Sequence, residues 1–234
     1  MKLSTRLLIS VFLSSFCSIN IFYAKEKEKL PNDLRWVRDS NEYKSLCMYV
    51  FRKATESVQV QTGFLKASEK KEKKYPYAVV VDLDETVLDN SQYQVERWRE
   101  NLGFTQESWS KWVRRKEAKL VPGAGGFLKA VRQNGVRVIF LSNRMHENLK
   151  PTQENLRSLQ VLDSKDLFLL RRNKQDTKQI RRAEVLEGKG RMKEFGPFHV
   201  VAYVGDQMGD FPDGFASELN HILFLLPNPM YGKW

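Results

Sequence analysis

Cysteine is nearly missing from this chain: of 234 residues only Cys17 and Cys47 carry a thiol. With residues 1–24 set aside as a leader, Cys47 stands alone and no internal disulfide framework can form. The fold must therefore rest on a packed core, for which the length is ample. Long apolar runs are missing too. The N-terminal one, Leu7–Phe16, is far shorter than the roughly 20 residues that span a bilayer. Acidic charge falls short of basic, 28 Asp and Glu against 39 Lys and Arg, for a formal net charge of +11. That excess suits acidic partners such as phosphorylated substrates, anionic lipid or nucleic acid, and a solvated basic surface explains it equally well. No internal repeat is visible. A hydrophobic content of 41% with 29% charged residues excludes a disordered chain.

Lys2 and Arg6 precede the run Leu7–Phe16, the charge-then-apolar order of a secretory signal. Residues 1–24 are predicted to be that signal, with 25–234 the folded domain; an uncleaved membrane-tethering helix is the alternative. The chain is expected to be exported, to the periplasm or outer membrane. Cys17 stands where a bacterial lipoprotein is cleaved and acylated. Leu13, Ser14 and Ser15 permit that, while Phe16 is bulky where a small residue is wanted. Cleavage at Ala24 has Phe22 at the preceding contact position, so a lipid anchor and plain cleavage both stay open.

Residues 34–66 place apolar side chains at helical spacing: Leu34, Val37, Tyr43, Leu46, Cys47, Val50, Phe51, Ala54 and Val58. One or two amphipathic helices are predicted, with Cys47 a buried thiol. The charge run Glu69–Lys74 reads as a solvated linker. Three β-branched runs come next, Tyr77–Val81, Val136–Leu141 and Val200–Val204, each apolar nearly throughout, as expected of strands buried on both faces. Helical patterns Gly123–Gln133, Glu147–Leu159 and Thr177–Leu186 lie between them, and shorter strands are predicted at Leu167–Leu170 and Ile222–Leu225. The alternation predicts an α/β fold, a Rossmann-like parallel sheet flanked by helices. Residues 91–121, with Tyr93, Trp98, Phe104, Trp109 and Trp112, break the alternation. They read as a small helical cap insertion ended by Val121-Pro122-Gly123.

Each of the three apolar runs ends in a polar cluster. Asp82-Leu83-Asp84-Glu85-Thr86 ends the first, Ser142-Asn143-Arg144 the second and Gly205-Asp206-Gln207-Met208-Gly209-Asp210 the third. Ligands of an open parallel sheet bind beyond the carboxyl ends of its strands, so three such clusters predict one crevice. On an extended segment Asp82 and Asp84 face one side. Two such carboxylates need a cation or a shared proton, and they suit a nucleophile beside a general acid–base. A calcium loop is excluded, because its fifth, sixth and twelfth places hold Thr86, Val87 and Tyr93. Ser142 and nearby backbone N–H groups at a helix mouth suit a phosphate oxygen, although Ser-Asn after a strand is commonly a cap or turn. Asp206 and Asp210 with Asp82 make an oxygen-rich site for Mg²⁺. Most of the six basic residues in Arg171–Arg182 are expected to be solvated, with one lysine at a helix start reaching the site.

These motifs resemble the haloacid dehalogenase superfamily, and more narrowly its class C, lipoprotein-type bacterial acid phosphatases and 5′-nucleotidases. The resemblance covers roughly residues 35–234, including the closing Leu226-Pro227-Asn228-Pro229-Met230-Tyr231-Gly232-Lys233-Trp234. The segment between Asp210 and Ile222 is short for that family. The resemblance implies a haloacid dehalogenase-like fold and Mg²⁺-dependent hydrolysis of phosphomonoesters, with nucleoside 5′-monophosphates the leading substrates. It implies Asp82 as phosphorylated nucleophile and metal ligand, and Asp84 as acid–base and metal ligand through its carbonyl. Asp206 would complete the metal ligands and Asp210 would support coordinating waters. Ser142 and Asn143 would hold phosphate with Lys178, which matches the family's lysine followed by paired basic residues; Lys174 is the fallback. Trp109 and Tyr231 would stack on the base, at about 1–3 kcal/mol per stack, unless Trp109 and Trp112 merely pack the insertion. The expected partner is a small phosphomonoester, without specific nucleic acid. Two alternatives stand: a phosphotransferase of the same fold, or a basic surface protein that binds nucleic acid or haem beside a vestigial site.

Overall fold

The computed structural model describes residues 29–68, 75–214 and 221–232. The segment 1–24 with Cys17 and the run Glu69–Lys74 lie outside the described residues, as does most of the segment that is short for the family. The described chain opens with helices α1 (Asn32–Asp39) and α2 (Asn41–Ser68), then β1 (Tyr77–Val81). A short β2 (Leu88–Asp89), helices α3 (Ser91–Arg99) and α4 (Gln106–Arg115), and β3 (Lys119–Leu120) come next. The chain continues through α5 (Ala124–Gln133), β4 (Arg137–Met145), α6 (Leu149–Ser158), β5 (Leu167–Arg171), α7 (Lys178–Glu187), β6 (His199–Gly205) and β7 (Leu223–Leu225).

Five strands form one parallel sheet in the order β5–β4–β1–β6–β7, with helices packed on it. The expected α/β architecture is therefore present. β1 shows why. Val79 and Val81 enter one core with Phe51, Phe127 and Phe140, while Ala78 and Val80 enter a second with Ile139, Val185 and Tyr203. Successive strand side chains point to opposite faces, so a strand with helices on both sides needs an unbroken apolar run. Fully burying each such valine contributes about 1.5–3 kcal/mol.

Helix α2 covers the first face with a buried stripe of Tyr43, Cys47, Phe51, Ala54 and Val58. Phe51 meets Phe127 of α5 at 5.4 Å between ring centroids. Burial pushes the Cys47 thiol up to about 11, which leaves it inert. Leu46, grouped with this stripe by spacing, is instead 47% exposed; one residue turns a helix by about 100°, enough to carry it off the buried face. Gly123 caps α5 at φ 94°, where an added Cβ would stand 3.1 Å from Phe51 and 3.2 Å from the Met48 backbone. Only glycine satisfies both the left-handed backbone and the close approach.

Two local features differ from the sequence reading. β4 does not stop at Leu141 but runs through Ser142, Asn143 and Arg144. Ser142 still pairs with Leu170 of β5, and the register slips before Met145. Ser142 is thus a strand residue, and α6 begins only at Leu149. The second feature is an antiparallel pair formed by the two ends of the segment that carries α3 and α4, with Leu88 opposite Leu120 and Asp89 opposite Lys119. Strands this short carry no readable period.

From β1 the chain crosses to β4 and β5 on one side, then returns to β6 and β7 on the other. The direction of winding reverses at β1, and a crevice opens there at the carboxyl ends. β4, β1 and β6 are neighbours about 4.8 Å apart. That adjacency brings the three polar clusters together.

Candidate active site

Asp82 leaves β1 with its backbone N–H donating to Val204 of β6 at 2.9 Å. Its carboxylate is buried, and one oxygen from each of Asp82, Asp206 and Asp210 lies within 4.8 Å of the others. Asp210 is drawn in by the tight turn after β6. Its Oδ2 accepts from the N–H groups of Asp206 and Gln207, each at 3.0 Å. Gly205 makes that turn feasible, since a Cβ there would stand 2.4 Å from Asp210 Cβ. Lys178 opens α7 and donates through Nζ to both Asp82 and Asp210. Lys174, the fallback, is exposed on the loop before α7 and is not in the cavity wall.

One ammonium among three carboxylates leaves surplus negative charge. Burial raises the Asp82 carboxyl well above its ordinary range; Lys178 opposes this, and Asp210, Asp206 and Asp84 reinforce it. Burial and then Asp210 push Asp206 up to about 7. Burial lowers the Lys178 ammonium, but Asp82 and Asp210 outweigh it and hold the group above its usual value. The cluster thus fits a small, hard, oxygen-seeking divalent ion, which would cancel the surplus.

Asp84 turns elsewhere. Its side chain is not among the three carboxylates that face one another. Arg144, 1% exposed, donates to it from Nε at 2.9 Å and from the terminal guanidinium nitrogen at 2.7 Å. Asn90 adds a bond at 3.1 Å, and Arg144 also donates to Thr152 at 3.0 Å. Trp112, buried, donates from its indole to Asn90 at 2.8 Å. Trp112 therefore packs the segment, while Trp109 serves two ends. Its ring meets Tyr93 edge-on at 5.0 Å and lies 5.8 Å from the Arg144 guanidinium.

Ser142 is wholly buried beneath the cavity wall. Its hydroxyl lies 3.4 Å from Asp84 and accepts from the Arg144 N–H at 3.1 Å. Asn143 faces the cavity, its Oδ1 accepting from Arg181 at 2.7 Å. Arg181 also bridges the carbonyls of Ser142 and Leu169. The expectation that the Arg171–Arg182 run is mostly solvated is overturned: of its six basic residues Arg181 and Arg182 are buried, Arg171 and Lys178 are partly buried, and only Arg172 and Lys174 are exposed. A guanidinium can be buried where carbonyls satisfy its fork, and those carbonyls come from strands distant in sequence.

The cavity over these groups holds about 610 Å³. Asp82, Asp84 and Lys178 line its floor, with Phe104, Trp109 and Tyr231 on its walls. Tyr231 donates its hydroxyl to Glu85, a buried carboxylate whose other oxygen accepts from the Asn90 N–H at 2.9 Å. Arg144, Asn90, Glu85 and Arg181 had no role assigned from sequence, although Glu85 and Arg144 lie within the polar clusters and Arg181 within the basic run. Nothing short of the fold pairs it with Asp84.

A doubly wound parallel sheet with aspartates converging at its switch point defines a class, the haloacid dehalogenase-like folds. A model of haloacid dehalogenase superfamily, subfamily IIIB (acid phosphatase) matches residues 16–234, and the chain belongs to that family. The class C acid phosphatase from Bacillus anthracis superimposes with a TM-score of 0.71 at 28% identity, over 86% of this chain and 84% of that one. Its tungstate-bound form gives 0.70 at 27% identity, with the same coverage. Among curated relatives, the stem 31 kDa glycoprotein of Glycine max is 27% identical over 186 residues, 77% of this chain and 68% of that protein. The stem 28 kDa glycoprotein of the same plant is 25% identical over 152 residues, 65% of this chain and 58% of that protein. Family membership makes the chain a phosphomonoester hydrolase.

Proposed function

We propose that the protein hydrolyses phosphomonoesters in two steps through a phosphorylated Asp82, that the reaction depends on Mg²⁺, and that nucleoside 5′-monophosphates are its substrates. The observation that carries this reading is the buried cluster of Asp82, Asp206 and Asp210 beside Lys178, at the floor of a cavity with aromatic walls. In the first step a carboxylate oxygen of Asp82 attacks phosphorus and the ester P–O bond breaks. Asp84 gives its proton to the departing alkoxide. In the second, water attacks the phosphoryl group while Asp84 takes its proton. The bond to Asp82 breaks, and phosphate and the free carboxylate are regained.

Mg²⁺ held by Asp82, the carbonyl of Asp84 and Asp206 would offset the repulsion between nucleophile and phosphate dianion. Asp210 supports that set by holding the turn on which Asp206 sits. Lys178 and Asn143 hold the phosphate, and Ser142 joins them from beneath if its hydroxyl turns from Asp84. The fold similarity to a phosphatase with tungstate bound supports an oxyanion subsite here, tungstate being tetrahedral as phosphate is. Trp109 and Tyr231 stack on the base; Phe104, 6.1 Å from Trp109, extends that wall.

Residues 1–24 form an export signal, 25–234 the catalytic domain and 91–121 its cap, with delivery to the periplasm or outer membrane and Cys17 the candidate lipid attachment point. Asp82→Asn tests the central reading. Expected is a loss of at least ~10³-fold in kcat, the scale of removing a nucleophile, with a cooperative thermal melt retained and no phosphoenzyme trapped from labelled substrate. An active Asp82→Asn protein sinks it.

A further inference from the structure

The C-terminal segment does more than supply Tyr231 to the cavity wall. Leu226 donates to the Gly205 carbonyl at 2.8 Å, at the base of the turn that carries Asp206. Asn228 then makes two contacts with one side chain. Its Nδ2 donates to Asp206 Oδ2 at 2.8 Å, and its Oδ1 accepts from the Met230 N–H at 3.0 Å. The second contact closes the turn that delivers Tyr231, whose hydroxyl ends on Glu85. Asp206 has weaker holds elsewhere, from Thr86 at 3.3 Å and Gln207 at 3.5 Å. Among the described residues no basic side chain pairs with it, because Lys178 is engaged by Asp82 and Asp210.

We propose that Asn228 is a positioning residue: it fixes the orientation of Asp206 toward the cation and ties the segment bearing Tyr231 to the metal cluster. The inference rests on the proposed cation at Asp82 and Asp206. A carboxylate that must meet an ion of strict geometry gains from a fixed partner outside the coordination sphere. The coupling is reciprocal, so an ion seated on Asp206 also steadies the turn through Asn228.

The test uses Asn228→Ala and Asn228→Ser in the full-length protein, with Mg²⁺ alone titrated by calorimetry. Serine retains an oxygen able to accept from the Met230 N–H, as both residue types do in such turns, but cannot reach Asp206. Both variants are expected to bind Mg²⁺ about tenfold more weakly, the scale of a lost hydrogen bond to a charged group, and excess Mg²⁺ is expected to restore kcat toward the wild-type value. A serine variant with wild-type Mg²⁺ affinity would show that Asn228 only shapes the turn, which overturns the inference. So would an activity loss that excess Mg²⁺ fails to recover. A wild-type protein that takes up no Mg²⁺ sinks the cation reading itself, and this inference with it.

Discussion

Asp82 and Asp84 flank a single leucine, yet the fold gives them opposite surroundings. Asp84 is matched: the buried Arg144 holds it through two nitrogens, and Asn90 adds a third donor. Asp82 is not, because it shares the single ammonium of Lys178 with Asp210, and Asp206 stands alongside. A matched carboxylate is held at a fixed place and angle in the cavity lining. An unmatched cluster retains charge that a divalent ion and a phosphoryl group can use. The difference arises because β4 lends its arginine to one side of the crevice while β6 lends two more carboxylates to the other.

The largest expected effect separates the two aspartates by chemistry. Asp84→Asn should lower kcat by ~10²–10⁴-fold on alkyl phosphates, the range for a lost general acid–base. The loss should be smaller on p-nitrophenyl phosphate, whose leaving group departs without a proton. Equal losses on both substrates would remove Asp84 from the acid role.

Next comes the matched pair itself. Arg144→Met should destabilise the protein by about 3 kcal/mol, since it strands a partly buried carboxylate, read from the urea midpoint. Adding Asp84→Asn to that variant should recover part of the loss, because the two positions are coupled. Additive losses would mean that Arg144 acts through packing on Trp109 and not through charge.

The smallest effect concerns a matched cluster away from the cavity. Arg191 binds Asp176 and Glu184. Burial alone would raise Asp176, but Arg191, the Arg172 N–H and Arg181 together outweigh it, and a hydrogen bond from Arg191 lowers Glu184, so both fall below their ordinary values. Depressed carboxyls stabilise the fold above their unfolded pKa, near 4, and the benefit fades as pH falls through the folded values. The melting temperature of the wild type should therefore drop more steeply from pH 5 to pH 3 than that of Arg191→Gln. Parallel drops would relocate acid sensitivity to other carboxylates.

The legible parts of the molecule were those with local signatures. The doubly buried run Tyr77–Val81 could only be an interior strand, and the helix face through Cys47 followed from a repeat of three and four. Asp82, Asp206 and Asp210 were legible as candidates because each lies at or just beyond a strand end, whereas Lys178 was singled out from Lys174 only by the family resemblance. The run Arg171–Arg182 was read as mostly solvated, since nothing near Arg181 and Arg182 in sequence reveals the carbonyls of Ser142, Leu169 and Gly209 that receive them. Ser142 was read at a helix mouth because the continuation of β4 depends on its pairing with β5. The contact of Asn228 was invisible for the same reason: its partner, Asp206, lies in the turn after β6, 22 residues back in the chain.

By itself, the order of residues determined where the five sheet strands and their flanking helices lie and which strand ends carry carboxylates, though not β2, β3 or the far end of β4. Period and polarity are properties of neighbours along the chain, and they need no partner to be read. Only the tertiary structure decided that Asp84 would be neutralised by Arg144 while Asp82 would not. That choice depends on which strands lie side by side, and a charge is matched or left over according to neighbours in space.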